Sequence, residues 1–492
     1  MLGHRKSVLA SRWWLVALVA LTACGSPEQP AESAQARPAA APGARPDIVL
    51  VSIDSLRADH LGCYGYARPT SPGIDRLAAE GVRFHNTVST TSWTLPAHAA
   101  LLTGLYDSTH GLVDNGLTLS DNVVTLAEVM KDAGYRTAGF YGGPYLNPTY
   151  GFGQGFDTYV SCMAEVKDPV PKEDAKGPLK GQAVRSFGDV TGPRTLQQVT
   201  AWMDTLDERP FFLFLHLWDV HYDYIPPDEY IRMFDPDYAG SLTGHRMMRS
   251  RAVSPAMPKR DLEHLIALYD GEIRFTDDIL GKILAEIDRR GRLDASLVVV
   301  TADHGEEFFE HGNKGHQKSL YDEVLRVPLI VRWPGRLDAG RVVDDQVRLI
   351  DVAPTIASLA GVPLSAEVQG RDLGPLMRGG TLAAEPALCE LHTAKRQLFG
   401  VRTERSKFIS FPTPHWWQFG YQYFDLESDP GERDVLPVWS RGLLAARSTL
   451  GRLREDADAL RKRLGDTAVP GAEIDEEQRE RLRSLGYIDG AD

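Results

Sequence analysis

Apolar runs recur along this chain and alternate with segments whose apolar residues repeat every three to four positions. The runs lie at residues 47–53, 136–141, 211–217, 297–301 and 329–333. Uninterrupted runs of this kind are typical of strands that are buried on both faces of a parallel sheet. The helical patterns lie at residues 74–80, 125–133, 195–206 and 262–290. The alternation predicts an α/β fold in which a large mixed, mostly parallel sheet is sandwiched between helices.

The hydrophobic pattern changes after about residue 385. Short strand-like runs appear at 399–402 and 408–410, and a charged, mostly helical stretch follows at 443–485. A chain of 492 residues also exceeds the length that one hydrophobic core usually supports. We therefore predict one large domain at residues 46–385 and a small C-terminal α+β domain at 386–492.

The first 45 residues carry the pattern of an export signal and a linker. Basic residues precede an apolar stretch at 13–21, which is too short to span a bilayer as a mature helix. Leu21-Thr22-Ala23-Cys24 then resembles the lipobox of bacterial lipoproteins, although a plain secretory signal is the alternative. We expect a signal peptide at 1–23, a membrane anchor through lipid on Cys24, and a flexible tether at 24–45. Because no Asp follows Cys24, the expected location is the outer membrane, facing the periplasm or the exterior.

The formal net charge of -13 changes the range of partners to consider. Proteins that bind nucleic acid need clustered Lys and Arg to neutralise phosphates, so the acidity argues against a nucleic-acid partner. It does not argue against small anions, which respond to the local field of a pocket.

Acidic and imidazole side chains follow two of the predicted strands. Asp54 comes directly after the run at 47–53, and Asp303 and His304 follow the run at 297–301. Since the carboxyl ends of parallel strands meet at one edge of a sheet, these side chains are expected to share a site. Two carboxylates and one imidazole suit a divalent metal, with Zn or Mn favoured and Ca or Mg as the alternative. Capping of a helix is the alternative role for Asp54.

A hydroxyl lies at the start of a further predicted helix. Thr94 precedes Pro96, which is well tolerated in a first helical turn, and His98 lies four residues after Thr94. The positive field of the helix N-terminus favours an anion there, and we expect His98 to contact either the Thr94 hydroxyl or the bound anion. The alternative is an ordinary N-cap followed by an ordinary helical residue. As a further ligand of the metal held by Asp54, Asp303 and His304, the hydroxyl of Thr94 would become a nucleophile toward phosphate-like or sulfate-like esters.

Two more segments contain candidate site residues. Asp219 and His221 follow the run at 211–217 and point to the same side of an extended segment. They are candidates for a second metal site together with His316, or His221 is a general acid. In the polar loop at 306–318 we single out His316 and Lys318 for the pocket, and we expect most of the other charged side chains there to be solvated.

From residue 47 onward the chain resembles the sulfatase family of the alkaline phosphatase superfamily. The segments that carry the resemblance are VSIDSLRADHLGCYG, TLPAHAALLTGLY, GFGQGFDTY, VVVTADHGEEFFEHG, SLYDEVLRVPLIVRWPG, VRLIDVAPTIASLAGVP, YFDLESDPGE and LRSLGYIDG. The resemblance implies a large α/β domain with a small C-terminal domain, and a metal held by Asp54, Asp303 and His304.

The chain departs from the sulfatase pattern at the nucleophile. In the family signature, a Cys or Ser is oxidised to formylglycine, and here Thr94 holds that position while His98 holds the position of an Arg. Because threonine carries a methyl group on Cβ, it cannot give the aldehyde, so no formylglycine is expected. Thr-x-Pro-x-His instead resembles the nucleotide pyrophosphatase/phosphodiesterase branch, in which Thr itself is the nucleophile. A second departure is Ser55, where many sulfatases have another metal-binding Asp.

We therefore expect a metal-dependent hydrolase of small anionic esters, with phosphodiesters or phosphomonoesters favoured over sulfate esters. Candidate proton donors to the leaving group are His221, His316 and Lys318. The alternatives are an arylsulfatase-like sulfuric ester hydrolase, a transferase of phosphoethanolamine-type headgroups, and a non-catalytic binding lipoprotein.

Overall fold

The computed structural model describes residues 45–163, 190–364, 367–393, 396–412, 420–471 and 473–485. The predicted signal peptide, Cys24 and all but the last residue of the predicted tether lie outside these ranges. These assignments therefore stay predictions.

The strands and helices are numbered in chain order. The strands are β1 (Ile48–Ile53), β2 (Val82–Val88), β3 (Leu117–Leu119), β4 (Arg136–Tyr141), β5 (Thr158–Ser161), β6 (Phe211–Leu217), β7 (Leu297–Ala302), β8 (Glu307–Phe308), β9 (Lys314–Gly315), β10 (Arg326–Arg332), β11 (Arg341–Arg348), β12 (Ala387–His392), β13 (Gln397–Arg402), β14 (Ser406–Phe411), β15 (Gly420–Asp425) and β16 (Ala468–Pro470). The helices are α1 (Pro72–Glu80), α2 (Thr94–Thr103), α3 (Asp107–His110), α4 (Leu126–Asp132), α5 (Gly192–Met203), α6 (Asp228–Phe234), α7 (Lys259–Arg289), α8 (Asp322–Leu325), α9 (Val352–Leu359), α10 (Gly374–Met377), α11 (Leu443–Leu464) and α12 (Glu476–Leu485).

Eight strands form the central sheet, in the order β11-β2-β10-β7-β1-β6-β4-β5. Strand β10 pairs antiparallel with both β2 and β7, and the other pairs are parallel. The prediction of a mixed, mostly parallel α/β sheet is confirmed. The five apolar runs correspond to β1, β4, β6, β7 and β10.

Helices cover both faces of this sheet because the side chains of a central strand alternate between two cores. In β1, Ile48 and Leu50 belong to one core, and Val49, Val51 and Ile53 belong to the other. Residues of α2 and α9 pack in the first core, whereas the long helix α7 packs in the second. The arrangement buries β1 completely and directs its carboxyl end into the interior.

A second, antiparallel sheet contains β12 to β15 in sequential order. It begins at Ala387, next to the predicted domain boundary, and α11 packs against it. The chain then returns to the main body, because β16 pairs antiparallel with β3. All described residues belong to one compact unit, so the boundary at residue 386 stays a prediction.

Among the described residues, no helix combines the length and the apolar character that crossing a membrane requires.

A buried ion cluster connects the second sheet to the main body. Lys407 on β14 is 1% exposed and its ammonium group pairs with Asp322, at the start of α8, and with Glu432. Arg402 on β13 adds two hydrogen bonds to the same Asp322 carboxylate, at 2.9 and 2.7 Å. The adjacent cations hold the pKa of Asp322 well below its usual value, against the effect of burial.

Removing the lysine charge from this cluster should destabilise the protein strongly. We expect Lys407→Met to lower the free energy of unfolding by about 3–5 kcal/mol, because the buried carboxylate of Glu432 and the partly exposed carboxylate of Asp322 both lose a partner. Lys131→Met is the matched control, since Lys131 pairs with Asp157 at the surface and such pairs contribute about 0–1 kcal/mol. Urea denaturation measures both. Equal effects of the two substitutions would contradict this account of the cluster.

Candidate functional site

Asp54, Asp303 and His304 come together at the carboxyl edge of the central sheet. Strands β1 and β7 run parallel with Ile53 opposite Ala302, so the residues that follow the two strands lie side by side. Ligand atoms of the three side chains all lie within 4.8 Å of one another, and each residue is 0% exposed. Among the described residues, these three form the one group of His, Cys, Asp or Glu side chains whose ligand atoms lie close enough together to hold a metal ion.

The hydrogen bonds around these side chains orient them toward a common point. The N–H groups of Ser55 and His304 donate to Asp303 Oδ1 at 3.1 and 2.9 Å. Ser55 Oγ donates to Asp54 Oδ1 at 2.7 Å, and His304 Nδ1 donates to the carbonyl of Gly305 at 2.9 Å. The second nitrogen of His304 is therefore available as a ligand.

One atom of this group shows that a cation fits the site. Asp303 Oδ2 is buried and accepts no hydrogen bond from the described residues. A buried carboxylate oxygen without a partner is costly unless a cation lies beside it. Two carboxylates and a neutral imidazole are ligands for divalent transition metals. The donor set and its burial thus suit a divalent cation held by Asp54, Asp303 and His304.

The hydroxyl of Thr94 lies against the same group. Helix α2 begins at Thr94, and its Oγ1 atom is 3.4 Å from Asp54 Oδ2 and 3.3 Å from His304 Nε2. Thr94 is 0% exposed. The structure therefore places this hydroxyl in contact with two of the three candidate metal ligands, at a helix N-terminus whose unpaired N–H groups favour an anion.

His98 does not make the contact that its position in the sequence suggested. One turn of α2 brings His98 Nδ1 to the carbonyl oxygen of Thr94 at 2.9 Å, and Ser52 Oγ lies 3.0 Å from His98 Nε2. Both ring nitrogens thus have partners other than the Thr94 hydroxyl, so of the two expected contacts the one with that hydroxyl is not formed, and the one with a bound anion stays a prediction. Nδ1 is also 3.7 Å from Asp303 Oδ2, which is beyond hydrogen-bond distance, so the ring lies next to one of the candidate metal ligands.

His216 is a site residue that the sequence analysis missed. It lies in β6, next to β1, and its Nε2 atom is 3.1 Å from Asp54 Oδ2. Burial lowers the pKa of His216 to about 4, so the ring is neutral and donates its N–H to the carboxylate. The histidine in the apolar run FFLFLHL could have identified it from the sequence, because a polar residue in a fully buried strand needs a hydrogen-bond partner.

Loss of the hydrogen bond from His216 should weaken metal binding. We expect His216→Gln to raise the dissociation constant for Zn or Mn by about 10–100-fold, since partners that orient ligand side chains have effects of this size. Competition with a chromophoric chelator measures this constant. His85→Gln is the control, because His85 is exposed on β2. If both variants bind the metal as tightly as the wild type, Asp54 does not depend on His216.

Two further histidines of the sequence prediction lie beside the metal group. The ring of His316 is 4.4 Å from that of His304 and 5.0 Å from that of His221, between ring centroids. His316 Nδ1 lies 3.1 Å from Glu306 Oε1, and His221 stacks on Trp218 at 3.8 Å. Burial lowers the pKa of His221 to about 4, and it lowers that of His316 well below its usual value. Both rings are therefore neutral near pH 7.

Asp219 caps a helix and does not join the second metal site for which it was a candidate. Its Oδ1 atom accepts a hydrogen bond from the Thr191 N–H at 2.6 Å, and its Oδ2 atom accepts one from the Gly192 N–H at 2.8 Å. These donors lie at the start of α5, so the carboxylate caps that helix. Among the described residues, Asp219, His221 and His316 do not form a group with metal-binding spacing. The second metal site predicted from these residues is therefore not formed.

The polar loop at 306–318 is more deeply buried than expected. Glu306 and Glu307 are 0% exposed, and of the charged side chains in this loop none is fully exposed. The prediction that most of them are solvated is wrong, because the Glu306 N–H donates to the carbonyl of Glu323 in α8 and His311 Nε2 lies 3.0 Å from the carbonyl of Glu432, which hold the loop against the protein. Lys318 Nζ donates to the carbonyl of Lys314, and partial burial lowers the pKa of the Lys318 ammonium group.

Comparison with known proteins gives an assignment consistent with this geometry. The sulfatase family model matches residues 46–362, and a model for the C-terminal part of N-sulphoglucosamine sulphohydrolase matches residues 310–438. An ulvan-active sulfatase from Formosa agariphila is 27% identical over 348 residues, which cover 68% of this chain and 65% of that protein. An N-acetylglucosamine-6-O-sulfatase from Bacteroides thetaiotaomicron is 24% identical over 478 residues, which cover 79% of this chain and 82% of that protein.

A solved structure shares the fold. The phosphonate monoester hydrolase of Agrobacterium radiobacter has a TM-score of 0.65 and 23% identity, with 86% of this chain and 97% of that chain covered. At this identity the likeness shows the fold alone. The family model, in contrast, matches more than half of the 492 residues and includes the strands that carry Asp54, Asp303 and His304. The chain belongs to the sulfatase family of ester-hydrolysing enzymes, within the alkaline phosphatase superfamily.

Proposed function

We propose that this protein hydrolyses small phosphate or sulfate esters with Thr94 as the nucleophile, and that phosphorus esters are its preferred substrates. The observation that carries the proposal is the position of Thr94 Oγ1, within 3.4 Å of both Asp54 and His304. A hydroxyl in this position replaces the formylglycine that the family signature requires.

A divalent cation on Asp54, Asp303 and His304, with Zn or Mn favoured and Ca or Mg as the alternative, would lower the pKa of a neighbouring hydroxyl and neutralise charge on the ester. The residues of the chain supply the remaining functions. Thr94 Oγ1 forms a bond to phosphorus while the bond to the leaving oxygen breaks, and the hydroxyl proton passes to Asp54 Oδ2, which accepts a hydrogen bond from Thr94 Oγ1 at 3.4 Å. Water then hydrolyses the phosphoryl-threonine ester and restores the hydroxyl.

The leaving oxygen needs a proton, and the candidate donors differ in what they can give. His221 and His316 are neutral near pH 7, and a neutral imidazole is a weak proton donor. Lys318 carries an ammonium proton, and burial lowers its pKa toward the operating range of a general acid. We therefore favour Lys318 as the acid and assign His316 and His221 to contacts with the ester.

Sulfate-ester hydrolysis is the second candidate function. The relatives named above act, by their names, on ulvan or on 6-O-sulfated N-acetylglucosamine, and this favours a sulfur ester. The Thr-x-Pro-x-His sequence favours a phosphorus ester.

A panel of aryl esters distinguishes the two functions. Phosphate, phosphodiester, phosphonate and sulfate esters of one phenol would each be assayed with Zn, Mn, Mg and Ca. We expect turnover of at least one phosphorus ester, at a higher kcat/KM than the sulfate ester. Higher kcat/KM for the sulfate ester would assign the sulfatase function. Inertness of every ester with every ion, in folded protein, would contradict catalysis of either kind.

We also propose that the protein is exported and anchored by lipid on Cys24, on the basis of its sequence. Expression of the full chain with Cys24→Ala in a bacterial host tests this proposal. The substituted protein should leave the membrane fraction, whereas a Cys63→Ala control should stay in it. Equal membrane association of both variants would contradict lipid attachment at Cys24.

A further inference from the structure

Large apolar side chains that are exposed to solvent are concentrated in one segment after the second sheet. Of the residues that the structure describes, six carry such exposed side chains, and four of the six lie within ten positions of the chain. The four are Val435 (50% exposed), Val438 (62%), Trp439 (81%) and Leu444 (77%). We call residues 435–444 the exposed apolar segment. Single exposed apolar side chains are ordinary, but a concentration of them marks a surface that binds another molecule or a membrane.

The backbone of the exposed apolar segment is held against the second sheet. The Leu436 N–H donates to the carbonyl of Tyr423, on β15, at 2.8 Å, and the Leu436 side chain packs against the core beneath. Leu443, the first residue of α11, is 5% exposed in the same core. Two inward leucines therefore anchor the segment, and the exposed apolar side chains beside them are held at the surface.

Exposed arginines accompany these apolar side chains. Residues 435–454, which lie between two acidic residues, contain four arginines and no Asp or Glu, although the formal net charge of the chain is -13. All four are exposed: Arg441, Arg447, Arg452 and Arg454. Arg441 follows Trp439 by two residues. Arg447 lies three residues after Leu444 on α11, and side chains at that spacing are neighbours on a helix. Apolar and positively charged groups therefore share this part of the surface.

A membrane surface that contains anionic phospholipid matches both properties. Tryptophan is favoured at the boundary between headgroups and acyl chains, because its ring is apolar and its N–H group is polar. Arginines beside such a side chain are attracted to anionic headgroups. A second copy of this chain matches less well, since a two-fold interface would place the same arginines against one another.

We propose that the exposed apolar segment and the four arginines dock on an anionic phospholipid surface, with Trp439 and Leu444 entering the boundary of the acyl chains. The inference goes beyond the proposed ester hydrolysis and does not depend on it. Docking through this segment would fix the face that the protein presents to the membrane.

Lipid attachment at Cys24 would not by itself fix that face. Residue 45 follows Cys24 by 21 positions, and a chain of that length reaches about 70 Å when it is extended. This reach exceeds the diameter of about 60 Å that is expected for a domain of this size. The docking segment would therefore set the orientation, whether or not a lipid tether is present.

Sedimentation with vesicles tests the proposal on the chain from residue 25 onward. This chain lacks Cys24 and the apolar stretch at 13–21, and it keeps every described residue, all of which belong to one compact unit. Vesicles of phosphatidylcholine would be compared with vesicles of phosphatidylcholine and phosphatidylglycerol in equal amounts. We expect binding to the anionic vesicles that weakens as salt is added, because salt screens the attraction between the arginines and the headgroups.

Single substitutions separate the apolar contribution from the charged one. Trp439→Ser should lower the partition coefficient by about tenfold, since transfer of a large side chain out of water contributes at least that factor. Arg441→Gln should lower it by about fivefold on anionic vesicles and leave it unchanged on neutral ones. The matched controls, expected to bind as the wild type does, are Met233→Ser, 46% exposed on α6, and Arg405→Gln, 77% exposed between β13 and β14.

Circular dichroism would show that each variant is folded, and sedimentation velocity without lipid would measure self-association. Losses in both Trp439→Ser and Arg441→Gln, with the controls unchanged, would support the proposal. Absence of binding to anionic vesicles, or unchanged binding in both variants, would overturn it. A concentration-dependent dimer that Trp439→Ser abolishes, in protein that binds no vesicle, would also overturn it and assign the segment to a second copy of the chain.

Discussion

Thr94→Ala should lower kcat/KM by at least about 10³-fold while leaving the fold and the metal content unchanged. Removal of a nucleophile takes away the covalent step, and losses of this size or greater follow in enzymes that depend on one. Thr94 contacts Asp54 and His304 through its hydroxyl, so the substitution leaves all three candidate ligands in place. Steady-state kinetics on the best ester of the panel measures the effect.

Thr94→Ser is the matched control for this prediction. It keeps the hydroxyl on Cβ and removes the methyl group, so we expect it to retain far more activity than Thr94→Ala. Circular dichroism and metal analysis of both variants would show that each is folded and loaded. Activity of Thr94→Ala within about tenfold of the wild type would contradict a nucleophilic role for this residue.

Asp303→Asn, or removal of the metal with a chelator, should abolish the activity to a similar degree. Asp303 contributes the buried Oδ2 atom that lacks a hydrogen-bond partner among the described residues, and an amide there cannot neutralise a cation. A bound metal stabilises the folded state through its affinity, so the melting temperature should fall on chelation and recover on addition of Zn or Mn.

The control for metal removal is a carboxylate with a structural role. Asp219→Asn changes the cap of α5. It should keep the metal stoichiometry, because the Asp219 carboxylate accepts hydrogen bonds from backbone N–H groups at the start of α5 and is not one of the three candidate ligands. Thermal denaturation with and without chelator, combined with metal analysis, gives the comparison. Full activity of chelated, metal-free protein would contradict the role assigned to the three ligands.

The sequence predicted the strands and site residues that depend on a strong local signal. Uninterrupted apolar runs located β1, β6 and β7, and the parallel register of β1 and β7 then brought Asp54 beside Asp303 as expected. Strands β2 and β11 were not predicted, because VRFHNTV and RVVDDQVR mix charged and apolar residues without a clear run. Both strands lie toward one end of the sheet, and the strand order there does not follow the sequence. Their position depends on contacts between residues that are far apart in the chain.

The parts of the site that were missed depend on such distant contacts. Asp219 follows a buried strand just as Asp54 does, but α5 begins beside it and its N–H groups bind the carboxylate. Likewise, Glu306 is an acidic residue in a polar loop, yet it is fully buried and Tyr224 Oη donates to it at 2.8 Å. No local pattern distinguishes a carboxylate that caps a helix from one that binds a metal.

The stereochemistry of the reaction tests the nucleophilic role of Thr94 most directly. A substrate that is chiral at phosphorus, through oxygen isotopes and sulfur, would be hydrolysed by the wild-type enzyme and the configuration of the product determined. Attack by Thr94 followed by attack of water inverts the configuration twice, so the account predicts overall retention. Overall inversion would show that water attacks the ester directly and would contradict a covalent intermediate on Thr94.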